Sequence, residues 1–234
     1  MNKKEFINAL KELNISVTPL QLEKLDIYYN LLIEENKKYN LTAITNKEDV
    51  YLKHFYDSLT LTKIITLSNQ HICDIGTGAG FPGIVLKIIF PDLKVTLLDS
   101  TEKKCKFLKL IISKLNLNNI DVINERAEIY SKTTREKYDI VTSRAVAPLK
   151  HLLEYSIPLV KVNGYYIAMK GDISKEIIGI NIYEKKLDIK EVKRLSFELP
   201  KENSIRTLIK YQKIAKTNIK YPRKYTEIKK KEIK

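Results

Sequence analysis

Residues 71–86 read HICDIGTGAGFPGIVL, and four of the chain's seven glycines fall inside them. An apolar run ends near Asp74, glycines stand at positions 76, 78, 80 and 83, and a second apolar run begins. Glycine is the residue for left-handed backbone and for close approach of another group to the main chain. The pattern therefore demands a tight, bare turn between a strand and a helix, in a chain otherwise short of glycine. The alternation then repeats along the chain. Ile72–Ile75 reads as a strand, Pro82 to Phe90 as a helix, Lys94–Leu98 as a second strand ending at Asp99, and Glu102–Leu115 as a helix with Phe107, Leu108, Ile111, Ile112 and Leu115 inward. Ile120–Ile123, Tyr138–Val141 and Gly164–Met169 read as further strands, with a helix near 148–160 before the last. A helix around 173–187 and strands near 189–199 and 205–214 complete the pattern. Strands alternating with helices predict an α/β fold with a parallel, doubly wound sheet.

The first 66 residues predict a helical extension to that sheet. Phe6, Leu10 and Leu13 share one helical face, and Thr18-Pro19 reads as an N-cap followed by proline at the first helical position. Leu22, Leu25, Tyr29, Leu32 and Ile33 continue as a stripe to about Lys38, and residues 48–66 read as a third helical stretch. Without internal repeats or a Pro/Ser-rich linker, the chain reads as a single domain. Its parts are the extension (1–66), a Rossmann-like core (71–214) and a basic tail (215–234).

Charge narrows the partners. The net charge is +14, and residues 201–234 hold twelve Lys or Arg against three Glu, a net of +9. Tyr211, Tyr221 and Tyr225 are interleaved with these cations. A concentrated basic segment with aromatics suits a polyanion, nucleic acid above all; a merely solvated tail is the plainer alternative. No apolar run approaches the length of a membrane span, and the N-terminus lacks the apolar core of a signal peptide. A soluble, cytoplasmic protein is expected, with no membrane partner. Cys73 and Cys105 stand alone, without a second cysteine or a histidine at ligand spacing, so no metal is expected and both read as buried small hydrophobes.

In a doubly wound sheet, ligands bind beyond the carboxyl ends of the strands, where the strand order reverses. Two cofactors compete for the glycine turn there. Gly78-Ala79-Gly80-Phe81-Pro82-Gly83 matches the dinucleotide pattern GxGxxG. The strand, however, ends two residues before the first of these glycines, and the bare pattern is a weak signal. The frame Asp74-x-Gly76-x-Gly78-x-Gly80 sits directly on the strand end and resembles motif I of the Rossmann-like S-adenosylmethionine-dependent methyltransferases. That resemblance implies glycines passing under the cofactor's methionine and ribose, with Asp74 helping to hold its ammonium group. Asp99, at the end of the second strand, is placed for the ribose hydroxyls of either cofactor.

The segment after the fourth strand, Thr142-Ser143-Arg144-Ala145-Val146-Ala147-Pro148, lacks the Asn/Asp-Pro-Pro-aromatic loop of amino-methylating enzymes. Neither cysteine sits at a strand end suited to a nucleophile for pyrimidine carbon-5. An acceptor with a free lone pair and no proton to remove is left, and guanine N7 is such an atom. It requires alignment and exclusion of water more than acid–base help. Arg144 fits as a positioning group toward guanine O6 or a phosphate; a surface ion pair is the alternative.

Further motifs extend the resemblance over most of the chain. They are Asn40-Leu41-Thr42-Ala43-Ile44, His54-Phe55-Tyr56-Asp57-Ser58, Asp74 through Gly83, and Asp99-Ser100 with Lys103-Lys104 and Phe107-Leu108. Arg126-Ala127-Glu128, Ser143-Arg144-Ala145, Lys170-Gly171 and Tyr221-Pro222-Arg223-Lys224 continue the set. Together they are similar to the bacterial 16S ribosomal RNA guanine-N7 methyltransferase family, also called glucose-inhibited division protein B. The resemblance implies a class I S-adenosylmethionine-dependent methyltransferase that modifies one guanine in the decoding-region stem-loop of the small-subunit rRNA. It implies Gly76 and Phe81 at the cofactor, Ala127 and Glu128 beside its adenine, and Arg144 at the methyl-donor end. His54, Asp57 and Ser58 would stand at the mouth of the site. His54, Lys170, Arg206, Arg223 and Lys224 would meet RNA, whether naked rRNA or the small ribosomal subunit. The protein is expected to act as a monomer. After Tyr221-Pro222-Arg223-Lys224 this chain departs from the family's small Ala-Gly-Thr-Pro stretch and reads Tyr225-Thr226-Glu227-Ile228 before its lysines. A methyltransferase for a small molecule or protein, and an RNA-binding assembly protein with a vestigial pocket, are the competing readings.

Overall fold

Capping chemistry starts the first two helices. In the computed structural model, which describes residues 1–233, Asn2 caps α1 (Lys3–Glu12) and Thr18 caps α2 (Pro19–Tyr39). At the second start, Thr18 Oγ1 accepts from the Gln21 amide while Gln21 Oε1 accepts from the Thr18 amide, so two otherwise unpaired donors are satisfied reciprocally. Asn40 ends α2 in the left-handed conformation. The chain then runs through α3 (Lys47–Val50), a π-helical turn over Tyr51–Tyr56, α4 (Asp57–Leu59) and a 3-10 turn over Thr60–Lys63. The wide π turn carries His54 and leads directly into Asp57.

The sheet and its helices come next, in order: β1 (His71–Ile75), α5 (Gly83–Ile89), β2 (Lys94–Asp99), α6 (Glu102–Lys114), β3 (Ile120–Asn124) and α7 (Ala127–Thr133). Then come β4 (Tyr138–Arg144), α8 (Leu149–Ser156), β5 (Val160–Lys170), α9 (Ile180–Leu187), β6 (Ile189–Glu198), β7 (Ile205–Lys213) and α10 (Tyr225–Lys230). The strand order is β3-β2-β1-β4-β5-β7-β6. β1 to β5 are parallel, and β7 inserts antiparallel between β5 and β6. The order reverses between β1 and β4, which places a ligand crevice over Ile75 and Ser143, paired neighbours at the two strand ends.

Alternation along β1 separates two cores. Ile72 faces one and Cys73 and Ile75 face the other, as the two-residue period of a strand requires. The helical extension is not a separate body: Tyr28, Tyr51 and Phe55 share the first core with Ile84, Leu97 and Phe107. The C-terminal segment closes the second core, where Tyr221, Ile228 and Ile233 are buried with Leu149, Leu153 and Tyr183. Lys234, the last of the basic run, lies outside the described residues.

Three expectations need correction. The helix expected over 173–187 begins only at Ile180, because Gly179 takes a φ of 77° and breaks any helix through it. α7 and α10, of seven and six residues, are too short to show a repeating apolar face and were not foreseen. β5 starts at Val160 rather than Gly164, its first half accommodated by Asn163 at φ 67° and by a register shift against β4. No helix of the described residues is long and apolar enough to cross a membrane. Both cysteines are buried, and burial pushes both thiols up from their ordinary value.

Candidate active site

The glycine turn is held from below by Asp74. Its Oδ2 accepts from Thr77 Oγ1 at 2.6 Å and from the Gly83 amide at 2.8 Å. A side chain at Gly83 would bring its Cβ within 2.3 Å of Leu97 and 2.9 Å of Asp74 Oδ2, so the protein's own packing requires glycine there. Gly80 has a φ of 106°, and a Cβ on it would meet the Tyr28 hydroxyl at 2.6 Å. Much of the bare backbone thus serves the chain's own wall, and only part faces a ligand. Burial pushes the Asp74 carboxyl up to about 7, against the bonds from Thr77 and Gly83 that favour its charged form. Its Oδ1 is buried with no hydrogen-bond partner among the described residues.

Above the turn lies a cleft of about 300 Å³, with Gly76, Asp99, Ala127, Glu128, Ala145 and Tyr225 in its wall. Asp99 braces the turn from the second strand: Oδ2 accepts from the Gly78 amide at 2.9 Å and Oδ1 from the Thr101 amide at 2.8 Å. A carboxylate has about four acceptor positions, so Asp99 retains acceptors for hydroxyl groups in the cleft. Of the residues expected at the cofactor, Gly76, Asp99, Ala127 and Glu128 line this cleft. Asp74, Gly78, Gly80 and Phe81 are not in its wall. For Asp74 and Gly80 the reason is direct, since they hold the turn from behind.

A second cavity of about 430 Å³ opens beside the first, lined among others by His54, Asp57, Arg144, Lys170, Glu176 and Arg206. Ala145, at φ 55°, lines both spaces and is the residue they share. Arg144 Nη1 donates to the Lys53 carbonyl at 2.8 Å and to Asp57 Oδ2 at 2.9 Å. Arg206 Nε reaches Asp57 Oδ1 at 3.3 Å. One buried carboxylate on the extension therefore joins an arginine at the end of β4 to another on β7. Such a charge triad is stable in a buried place because each charge has partners.

His54 stands against the same arginine. Arg144 Nη2 lies 3.3 Å from His54 Nδ1, and His54 Nε2 lies 2.9 Å from Thr42 Oγ1. An arginine N–H can only donate, so Nδ1 accepts and Nε2 carries the proton toward Thr42. Burial and the adjacent guanidinium push the imidazole down to about 3. It is neutral, with both nitrogens engaged. Its ring stacks on Phe81 at 4.3 Å between centroids, and the Arg144 guanidinium carbon lies 5.4 Å from the Phe81 centroid. Phe81, expected at the cofactor, lines neither space and backs His54 and Arg144 of the second.

The residues expected at RNA divide. Lys170 Nζ is held by Glu176 and by the Ala147 carbonyl, each at 2.9 Å, which ties down the loop carrying Ala145. Arg223 grips the fully buried Glu154 through two side-chain bonds of 2.8 Å and anchors the C-terminal segment. Lys224 is exposed. Sequence reasoning named Asp57 only at the mouth and missed its pairing with Arg144 and Arg206. It also missed Ala145 as the shared wall and Tyr225 in the cleft. No local signal marks these, since each depends on segments brought together by the fold.

Known proteins resemble this chain in sequence and in fold. A family model described as rRNA small subunit methyltransferase G (GidB) matches residues 21–209. "Ribosomal RNA small subunit methyltransferase G" of Bacillus cytotoxicus is 47% identical over 228 residues, covering 96% of this chain and 95% of that protein. The protein of the same name from Bacillus thuringiensis (strain Al Hakam) is 47% identical over 230 residues, with the same coverages. Among solved structures, M. jannaschii TYW2 in complex with AdoMet aligns with a TM-score of 0.53 at 17% identity, over 64% of this chain and 72% of that one. A SAM-dependent methyltransferase from Aquifex aeolicus aligns with a TM-score of 0.53 at 14% identity, over 76% and 97%. At these identities the structures share the fold: a class I methyltransferase sheet.

Proposed function

Because the chain belongs to the rRNA small subunit methyltransferase G family, it is an S-adenosylmethionine-dependent methyltransferase of small-subunit ribosomal RNA, and we propose that its acceptor is N7 of one guanine in the decoding-region stem-loop of 16S rRNA. The observation that supports the choice of acceptor is the meeting of the two cavities at Ala145, where, among the described residues, His54, Asp57, Glu176 and Glu202 of the second cavity are each paired with a cation. His54 Nδ1 is occupied by Arg144, and Asp57 is paired with two arginines. Guanine N7 offers a lone pair and loses no proton, so a site without a free general base suits it.

The first cleft fits the cofactor. Gly76 lines the cleft in a left-handed turn, with Val146 packed against its bare face; Asp99 has acceptors left for ribose hydroxyls, and Glu128 stands where an adenine amine would donate. Asp74 serves this cleft from behind, by bracing the glycine turn through Thr77 and the Gly83 amide. When bound, S-adenosylmethionine supplies an electrophilic methyl group on a sulfonium. The chain's own part is alignment. Lys53, Asp57 and His54 fix the Arg144 guanidinium from one side, which leaves donors for guanine O6 or a phosphate. His54, backed by Phe81, forms a flat wall beside it, and the loop of Ala145 to Ala147, pinned by Lys170, separates the two spaces. The basic C-terminal third and Lys224 supply phosphate attraction. The same reading has the enzyme work as a cytoplasmic monomer and a single methyltransferase domain.

The test is transfer of labelled methyl from S-adenosylmethionine to unmodified 16S rRNA, naked and within the small subunit, with the product nucleosides identified by mass spectrometry. The expected product is 7-methylguanosine. Another methylated nucleoside would overturn the acceptor.

A further inference from the structure

The C-terminal segment does more than add charge. Its first helical residue, Tyr225, lines the cleft beside the β3–α7 connection. The Tyr225 ring lies 4.3 Å from the Arg126 guanidinium carbon, close enough for stacking. Arg126 in turn donates from Nε to Glu128 Oε1 at 2.6 Å. Tyr225, Arg126 and Glu128 thus form one connected edge of the cleft, at the end away from the glycine turn. Tyr155, on α8, lines the same space.

The tyrosine is held there from several directions. Arg223 binds the buried Glu154 bidentately, and Glu154 is the neighbour of Tyr155 on α8. Arg135 donates to the Tyr221 carbonyl at 2.8 Å and to the Thr217 carbonyl at 2.7 Å. Ile228, one turn after Tyr225, is 3% exposed. Tyr225 itself remains 36% exposed, as a residue at the lip of a cleft would. This is also where the chain departs from the small residues its family resemblance leads one to expect.

We propose that Tyr225, with Arg126 behind it, is the outer aromatic wall of the purine subsite, so that the C-terminal segment is a cofactor-positioning element. This rests on the reading of the 300 Å³ cleft as the cofactor site. A flat ring and a guanidinium plane suit the face of a purine, while Glu128 beside them accepts from an exocyclic amine. Tyr225 touches no reacting atom in this assignment. It places the base, and through it the ribose over Asp99.

The test is calorimetric binding of S-adenosylhomocysteine and of adenosine to the full chain. Tyr225→Ala should weaken both ligands by a similar factor, about 5- to 20-fold, as loss of an aromatic contact predicts. Tyr225→Phe should bind within about twofold of the parent, since ring and not hydroxyl carries the contact. Asp99→Ala serves as the control for the cleft. If Tyr225→Ala binds normally while Asp99→Ala does not, the proposal is overturned and the cleft reading stands. If neither substitution changes binding, both fall. If Tyr225→Phe weakens binding as much as Tyr225→Ala, stacking is overturned. A purely structural role would lower the melting temperature of Tyr225→Ala without this common factor on both ligands. Should Tyr225→Ala not fold, Tyr225→Leu replaces it, with the same loss on both ligands expected and unchanged binding counting against the proposal.

Discussion

The two cavities that meet at Ala145 are built in opposite ways. The cleft proposed for the cofactor takes most of its wall from loops at the ends of β1, β2, β3 and β4, each a few residues from a strand end. The cavity proposed for the acceptor gathers Lys53, His54 and Asp57 of the extension, Arg144, the end of β5 and the start of β7 around one carboxylate, Asp57. Strand ends are assembled by the sheet itself, so chemistry placed there is positioned by backbone hydrogen bonding. The second cavity exists only because the extension packs on the sheet's first core and brings Asp57 to Arg144. One site comes with the fold class, the other from a particular docking of helices on it.

The sharpest way to test that separation is Arg144→Ala. It should lower kcat/KM for rRNA methylation more than about 100-fold, as loss of a charged positioning group does, while S-adenosylhomocysteine binds within about threefold of the parent. Equal losses in both would break the comparison. The reciprocal change, Asp99→Ala, should raise the cofactor dissociation constant about tenfold or more through lost charge-assisted bonds, with rRNA affinity in filter binding unchanged. Asp57→Asn strikes the join itself. Leaving two arginines short of a buried partner should cost about 3 kcal/mol of stability, read by urea unfolding, and methyl transfer should fall about tenfold because Arg144 loses its anchor.

A smaller effect sets the two sides against each other in pH. On the acceptor side, His54 is held down to about 3, so its contribution to stability is present above its ordinary value near 6.5 and is lost as pH falls. On the cofactor side, Asp74 is pushed up to about 7, so its contribution is complete at low pH and is lost as pH rises toward 7. Between about pH 4 and 6.5 they oppose one another. His54→Asn should therefore have its largest stability deficit near pH 7.5, narrowing by about 1–2 kcal/mol at pH 5. The deficit of Asp74→Asn should move the other way, and thermal melts across this range would show parallel curves if neither group is perturbed. The smallest effect is expected at the surface. Lys224→Ala should weaken rRNA binding uniformly and lower the magnitude of the logarithmic salt slope by about 1, and an unchanged slope would remove Lys224 from the phosphate contacts.

What could be read ahead of the structure has a common physical origin. The Thr18-Pro19 start of α2, the glycine turn and the position of Asp99 are all short-range consequences of residue type. They rest on a cap bond, a positive φ and a strand end, and each is found where it was expected. The helix over 173–179 failed for a local reason as well: Gly179 is left-handed and stops it. By contrast, Phe81 was assigned to the cofactor from its place in the motif, yet its ring lies under His54 and Arg144. Arg223 was assigned to RNA through the family resemblance, yet its guanidinium is bound to a buried glutamate 69 residues earlier.

By itself, the sequence determined the alternation of strands and helices, the strand ends that line the first cleft and the basic character of the last third. Those properties arise from periodicity, backbone preference and charge, which act over a few residues. Only the tertiary structure decided which cations remain exposed and which are paired, that Asp57 joins Arg144 to Arg206, and that Tyr225 returns to the cofactor cleft. Pairing of buried charges and the closing of a cleft depend on distances between segments far apart in the chain, and the packing of the two cores sets those distances.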